Sequence, residues 1–174
     1  VISVKSFYLA ALEEKMRTNE ECAFGYRTSV FKEKRGEEMV LEAIFRFREG
    51  EREKIREAVE AKINYRKEKH PLEYPNIGSI FKNVDARKFS ERDLRNLKIK
   101  NDPFPVVPTA VLIAETGLKG IREGDAMVSL KHPNFIVNLG GAKASEVKTL
   151  IRRVKEAVKK KFREEMEEEV QYVP

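Results

Sequence analysis

The chain has 174 residues, with 35 Lys or Arg against 29 Asp or Glu and a formal net charge of +6. This length fits one domain or two small ones, and the single cysteine excludes a secreted disulfide scaffold and favours a reducing, cytoplasmic location. One cysteine and two distant histidines, His70 and His132, exclude the classical four-ligand zinc sites, so no metal site is predicted. No apolar stretch approaches the roughly 20 residues that span a bilayer, and no leader sequence opens the chain, so we expect a soluble protein without a membrane partner.

The first quarter of the chain predicts two strands around a compact aromatic segment. Residues 1–5 are a β-branched run, which is typical of a strand. Residues 22–32 are rich in aromatic side chains around a glycine. Apolar and charged side chains alternate over residues 39–48, which predicts a half-buried strand.

A highly charged helix is predicted over residues 51–69, followed by an irregular segment. The helical range contains neither proline nor glycine and places Ile55, Val59 and Ile63 four residues apart, which gives a narrow apolar stripe. The segment over residues 71–83 contains two prolines and is predicted to be irregular.

The next stretch predicts an excursion and then a short helix. Residues 85–108 are polar and then proline-rich, so we expect an inserted lid or surface loop with a short helix at residues 90–97. Thr109 to Thr116 are predicted to form a short buried helix that Gly117 ends.

The end of the chain predicts one inner strand and one long amphipathic helix, and the whole predicts an α+β fold. Residues 134–138 are the strand, and Ser145 is the expected N-cap of the helix. The apolar residues of the helix fall at helical spacing: Val147, Leu150, Ile151, Val154 and Val158.

Seven short motifs in this order carry a family resemblance: Phe24-Gly25-Tyr26-Arg27, Pro71-Leu72-Glu73-Tyr74-Pro75, Gly78-Ser79-Ile80-Phe81-Lys82-Asn83, Gly117-Leu118-Lys119-Gly120, Gly124-Asp125-Ala126-Met127-Val128-Ser129, Lys131-His132-Pro133-Asn134-Phe135-Ile136-Val137-Asn138 and Glu167-Glu168-Glu169-Val170. Together they resemble the bacterial UDP-N-acetylenolpyruvoylglucosamine reductases, the MurB family. The resemblance covers only the C-terminal half of that family. It implies that residues 1–68 are the tail of an FAD-binding domain of the PCMH type with a linker helix, and that residues 69–174 are the domain that binds the UDP-sugar substrate.

The resemblance also implies a reaction and its cofactors. The family reduces UDP-N-acetylglucosamine enolpyruvate to UDP-N-acetylmuramate with FAD and NADPH, in the synthesis of peptidoglycan precursors. A glycine-rich loop is needed where backbone N–H groups approach the FAD pyrophosphate, and the nine glycines here include no such cluster. The N-terminal FAD domain would therefore be the partner that holds the cofactor, and this chain alone is expected to be inactive.

Three residues match catalytic positions of the family. Ser79 matches the proton donor, and Arg27 matches the arginine that contacts the substrate carboxylate and enolate, a role suited to a permanently charged planar donor. Glu169 matches the glutamate that lies opposite the serine and stabilises the intermediate or relays a proton. Considered without the resemblance, Ser79 is a loop serine that caps the following residues, and Arg27 is a surface arginine.

Five further residues match positions that bind the uridine diphosphate and sugar. Lys69, Asn83 and His132 are the stronger candidates, because a lysine offers a point charge to a diphosphate and an amide or imidazole offers directional hydrogen bonds. Tyr74 and Lys82 are weaker, because a tyrosine near proline usually packs and a lysine usually extends along the surface. Considered alone, His132 is a partly buried loop histidine.

Two other functions remain as alternatives. A pI near 9.3 and Gly117-Leu118-Lys119-Gly120 superficially fit a nucleic-acid-binding KH module, but Gly124 and Asp125 follow where a second helix should continue, so we expect no nucleic-acid partner. The chain is alternatively an isolated, catalytically inactive substrate-binding fragment, which the sequence does not separate from the enzymatic reading.

Overall fold

The computed structural model describes residues 1–173 and forms two compact units, residues 1–55 and the remainder of the chain. The first unit is a three-stranded antiparallel sheet in the order β2-β1-β3, with β1 at Ser3–Tyr8, β2 at Glu13–Thr18 and β3 at Glu38–Ile44. A four-residue helix, α1, lies at Val30–Glu33. The strands predicted near β1 and β3 are confirmed, whereas β2 was not predicted because its sequence is almost entirely polar.

The core of this first unit is small and contains an ion pair. Val4 and Cys22 are buried beside Ser6 and Arg17. The predicted half-buried character of β3 is wrong, because its apolar side chains are exposed in the described structure: Met39, Val40, Leu41 and Ile44.

The second unit is built on a four-stranded antiparallel sheet in the order β4-β10-β9-β8. Its strands are β4 at Asn76–Ser79, β8 at Arg122–Glu123, β9 at Ala126–Val128 and β10 at Phe135–Asn138. The inner strand β10 confirms the prediction, and β4 is a strand where an irregular segment was predicted.

The helices of the second unit have very different surroundings. The charged helix α2, Arg52–Lys69, begins just before the boundary of the units and buries none of its residues. Helix α4, Thr109–Glu115, and helix α5, Ala144–Phe162, pack together, and α5 also covers β8 and β9. Helix α5 begins one residue before Ser145, because the Glu146 carboxylate accepts the Lys143 backbone N–H at 3.0 Å, so Lys143 is the N-cap.

The expectation that residues 85–108 form a lid or surface loop is wrong. This stretch carries β5 at Val84–Asp85, a 3-10 helix at Ala86–Lys88, helix α3 at Glu91–Leu94, β6 at Lys100–Asn101 and β7 at Pro105–Val107. The three strands form a sheet in the order β5-β7-β6, and the short predicted helix is confirmed as α3 with Ser90 as its N-cap. Five of its apolar side chains are buried in the interior of the unit: Ala86, Phe89, Leu97, Val106 and Val107.

One hydrophobic core joins these elements. It contains the apolar residues predicted for α5 except Val147, which is partly buried at its edge, and its α5 members are Leu150, Ile151, Val154 and Val158. Within residues 1–173 no helix has the length and apolar character that crossing a membrane requires.

Candidate functional site

The predicted proton donor begins a short extended stretch, residues 79–83, which we call the serine segment. Ser79 ends β4 and follows Gly78, whose φ of +86° is a left-handed conformation that glycine adopts without strain. The Ser79 side chain is partly exposed, and within the described residues its hydroxyl makes no hydrogen bond. The sequence-based alternative, in which Ser79 caps the following residues, is therefore not realised in the described structure.

The buried amide of Asn134 holds the serine segment in place. Its Oδ1 accepts the Phe81 N–H at 3.0 Å, and its Nδ2 donates to the Phe81 carbonyl at 2.9 Å. The Asn134 carbonyl accepts the Ile80 N–H at 2.8 Å. No role for Asn134 was predicted from the sequence. A polar amide directly before an apolar inner strand was the available signal, since an amide buried at that position needs hydrogen-bond partners.

The C-terminal tail, residues 164–173, runs antiparallel to the serine segment and brings Glu169 to it. The Glu169 N–H donates to the Ile80 carbonyl at 2.8 Å, and the Lys82 N–H donates to the Glu167 carbonyl at 2.9 Å. Glu168 pairs with Phe81 between these two bonds. The backbone of Glu169 thus lies beside the residue that follows Ser79.

Lys82 and Asn83 lie at the other end of the serine segment, and both have partners in the fold. The Lys82 ammonium group forms an ion pair with Glu167, and the Lys82 side chain is only 19% exposed. The Asn83 Oδ1 accepts the Thr109 N–H at 3.2 Å, which satisfies a free backbone donor at the start of α4. The Thr109 hydroxyl donates to the Lys82 carbonyl, so α4 supports the segment from this side.

His132 lies in an aromatic cluster with His70 and Phe135. Its ring centroid is 5.3 Å from that of His70 and 4.7 Å from that of Phe135. Burial, and next the neighbouring His70, lower the pKa of His132 to about 4, so the ring is neutral near pH 7. The Nδ1 atoms of both histidines are buried without a hydrogen-bond partner among the described residues.

Lys69 and Tyr74 are close in sequence to His70 of this cluster, and both are exposed. Lys69 is the last residue of α2, is half exposed, and forms an ion pair with Glu68. Tyr74 is exposed in the turn before β4. Lys131, the residue before His132, contacts the end of α2, where its Nζ donates to the Lys67 carbonyl at 2.9 Å.

Arg27 belongs to the first unit, where it lies in a tight turn. The Gly25 and Thr28 backbones bond to each other on either side of it, at 3.1 and 3.4 Å. Arg27 adopts a φ of +60°, a left-handed conformation that costs a non-glycine residue about 1 kcal/mol. Its carbonyl accepts the Lys32 ammonium group at 3.1 Å. Of the eight predicted site residues, the structure gathers Ser79, Lys82, Asn83 and Glu169 at the serine segment. Lys69, Tyr74 and His132 lie outside that segment in the same unit, and Arg27 belongs to the first unit.

The residues present do not fit a flavin diphosphate by themselves. The adjacent Gly140 and Gly141 are the one glycine pair, and their N–H groups are already bonded to the Asn138 amide oxygen at 2.8 Å and the Asp125 carboxylate at 2.9 Å. No group of three or more His, Cys, Asp or Glu side chains in residues 1–173 is arranged to hold a metal ion.

The segment Gly117-Leu118-Lys119-Gly120 is not followed by the second helix that a KH module requires. Gly117 follows helix α4, and the Gly120 N–H donates to the Val128 carbonyl at 2.8 Å. Strand β8 then begins at Arg122, where a KH loop would open a second helix.

Comparison with known proteins identifies relatives of this chain. The model of the C-terminal domain of UDP-N-acetylenolpyruvoylglucosamine reductase matches residues 70–173. The reductase of Halalkalibacterium halodurans is 36% identical over 156 residues, which are 90% of this chain and 44% of that protein. The reductase of Syntrophus aciditrophicus is 40% identical over 162 residues, 93% of this chain and 45% of that protein. The chain thus spans less than half the length of these relatives.

A solved structure has the same fold. The crystal structure of UDP-N-acetylenolpyruvylglucosamine reductase (MurB) from Thermus caldophilus superimposes with a TM-score of 0.72 and 29% sequence identity. The match covers 100% of this chain and 53% of that one.

Proposed function

Because this chain belongs to the UDP-N-acetylenolpyruvoylglucosamine reductase family, we propose that it is the part of such a reductase that binds the UDP-sugar and protonates it during reduction. The reaction would convert UDP-N-acetylglucosamine enolpyruvate to UDP-N-acetylmuramate in the cytoplasm, for peptidoglycan synthesis. The observation that carries the proposal is the ladder of backbone hydrogen bonds that holds the tail, with Glu169, against the segment that begins with Ser79.

The chain's own residues have distinct proposed roles in this reaction. Reduction of an enol ether next to a carboxylate requires a proton at one carbon and stabilisation of the negative charge that develops beside it. Ser79 donates the proton as general acid. Arg27 and Glu169 stabilise the developing charge and the intermediate.

Five residues are proposed to contact the substrate away from the reacting carbons. Lys82 and Asn83, at the end of the serine segment, bind polar groups of the sugar and diphosphate, together with Lys69 and Tyr74. His132, neutral near pH 7, offers a hydrogen bond rather than a charge.

The flavin and NADPH are proposed to be bound by the rest of the enzyme. Because the N–H groups of the Gly140-Gly141 pair are occupied by side chains of this chain, the FAD diphosphate needs donors from the N-terminal FAD domain. In this assignment residues 1–68 complete that domain and its linker, and residues 69–174 bind the substrate.

A second candidate function is a substrate-binding fragment with no activity of its own. The absence of a fitting flavin site in residues 1–173 favours it for the chain in isolation. The two candidates agree on substrate binding and differ only in whether the N-terminal half restores catalysis.

Complementation separates these candidates. The chain is titrated with the product, UDP-N-acetylmuramate, by calorimetry, alone and after mixing with a separately produced N-terminal half loaded with FAD. The mixture is then assayed for NADPH oxidation with UDP-N-acetylglucosamine enolpyruvate as the substrate. We expect substrate-dependent NADPH oxidation in the mixture and a loss of roughly 100-fold or more in Ser79→Ala. Binding without NADPH oxidation supports the inactive fragment, and full activity of Ser79→Ala excludes that residue as the acid.

A further inference from the structure

Glu168, the neighbour of Glu169 in the C-terminal tail, has a hydrogen-bond partner on each of its two carboxylate oxygens. Its Oε1 accepts the Lys155 ammonium group of α5 at 2.8 Å, and its Oε2 accepts the Tyr172 hydroxyl at 2.7 Å. The Glu168 side chain is 22% exposed, and the Lys148 ammonium group lies 4.7 Å from the centroid of the Tyr172 ring. We call Lys155, Glu168 and Tyr172 the tail clamp.

The tail clamp acts where the backbone support of the tail is thin. Within the described residues, two backbone hydrogen bonds join the tail to the serine segment, and together they form the single bridge between Phe81 and Glu168. A cavity of about 450 Å³ opens between the tail and α5. A pairing this short opens readily unless side chains hold it. Met166 is buried in the core and Val170 packs against its edge, and the clamp joins the stretch between them to α5.

The Glu168 carboxylate of the clamp is ionised at neutral pH. Burial acts to raise the pKa of Glu168, but the hydrogen bonds from Lys155 and Tyr172 outweigh it, and the pKa lies below its ordinary value. Burial and the contact with Glu168 raise the pKa of Tyr172 to about 12, so its hydroxyl remains a donor.

We propose that Glu168, held by Lys155 and Tyr172, is a positioning residue that fixes Glu169 relative to Ser79. The inference rests on the proposed function, because it takes Glu169 as a stabilising group in that reaction. Glu168 and Glu169 share one peptide unit, so a side chain held at Glu168 restricts the backbone from which the Glu169 carboxylate extends. A catalytic group misplaced by about 1 Å loses up to about 100-fold in rate.

The first test uses this chain alone and amide hydrogen exchange. Lys155→Gln removes the ion pair that joins the clamp to α5. Arg152→Gln is the matched control, because Arg152 lines the same cavity on the same helix but pairs with Glu156 rather than with the tail. We expect exchange at the Glu169 amide to rise about 10-fold in Lys155→Gln and to stay unchanged in Arg152→Gln. The Ile80 amide, bonded to Asn134, should be unaffected in both variants.

The second test separates positioning from general support of the fold. In the complemented reductase, Lys155→Gln should lower kcat about 10-fold with KM for the UDP-sugar within about twofold. In a Glu169→Gln background the same substitution should have no further effect on kcat, whereas a purely structural role would lower kcat equally in both backgrounds.

Each outcome decides one of the two proposals. Unchanged exchange at the Glu169 amide in Lys155→Gln, or independent losses in the two backgrounds, overturns the positioning role. If the complemented wild-type chain does not oxidise NADPH, the proposed function fails, and the exchange measurement still decides whether the clamp orders Glu169.

Discussion

At the scale of single residues, the first unit depends on a buried ion pair. The Arg17 Nε donates to Glu38 at 3.0 Å, and the Ser6 hydroxyl donates to the same Glu38 oxygen at 2.8 Å. The hydrogen bond from Arg17 outweighs burial and lowers the pKa of Glu38 to about 2. Removing one partner of such a pair leaves a buried charge without compensation, so the pair is costly to break.

This pair predicts how the stability of the first unit depends on acid. The folded pKa of about 2 lies below the ordinary value of 4.5 for a glutamate, so the contribution of Glu38 is complete well above pH 4.5 and is lost as the pH falls toward 2. We expect a loss on the order of 2 kcal/mol in the free energy of unfolding over this range. Urea unfolding of the wild type and of Glu38→Gln should show this component only in the wild type. Glu14→Gln, which breaks the exposed pair with Lys5, is the control and should retain it.

Residue by residue, the sequence indicated candidate site residues but not the contacts that hold them in place. The motif around Ser79 could be recognised because its residues are contiguous. The role of Asn134 could not, because it acts on Phe81, 53 positions away, through bonds that only the folded chain creates. Asn83 shows the converse, since a residue predicted to bind substrate also completes the start of α4.

At the scale of elements, two long helices of similar charge differ in what they contribute to stability. Val154 of α5 is 1% exposed in the core, whereas Val59 of α2 is 50% exposed. We expect Val154→Ala to cost about 2 kcal/mol of unfolding free energy and Val59→Ala to change it by less than about 0.5 kcal/mol. Urea denaturation followed by circular dichroism measures both. Equal costs would show that α2 is packed in solution.

Helices and strands were predicted correctly where the apolar periodicity of the sequence was strong. The prediction failed where contacts with distant parts of the chain determine whether a strand forms. Helix α5 and strand β10 are confirmed, because each places its apolar residues on the buried side. Strand β2 is polar, and the elements of residues 85–108 are two to four residues long, too short for a period to be recognised. Their prolines suggested a loop, but β7 starts at Pro105 and is the central strand of its sheet.

At the scale of the whole molecule, many large apolar side chains are exposed in the described structure. Large apolar side chains are exposed on the first unit and on α2, and Phe45 and Phe47 stack with their ring centroids 6.0 Å apart. Extended exposed apolar surface marks an interaction site. Because the chain spans 44% of the length of a relative such as the Halalkalibacterium halodurans reductase, we expect the remaining half of such an enzyme to cover this surface.

That expectation predicts different effects of one substitution on folding and on assembly. Phe47 is 83% exposed, so Phe47→Ser should change the melting temperature of the isolated chain by less than about 2 °C. The same substitution should weaken binding of the FAD-loaded N-terminal half about 10-fold, because large aromatic side chains often dominate protein interfaces. Ile99→Ser, which removes an exposed apolar side chain from the second unit, is the control and should bind normally. Calorimetric titration of each variant with the N-terminal half measures the difference, and equal affinities would show that Phe47 lies outside the interface.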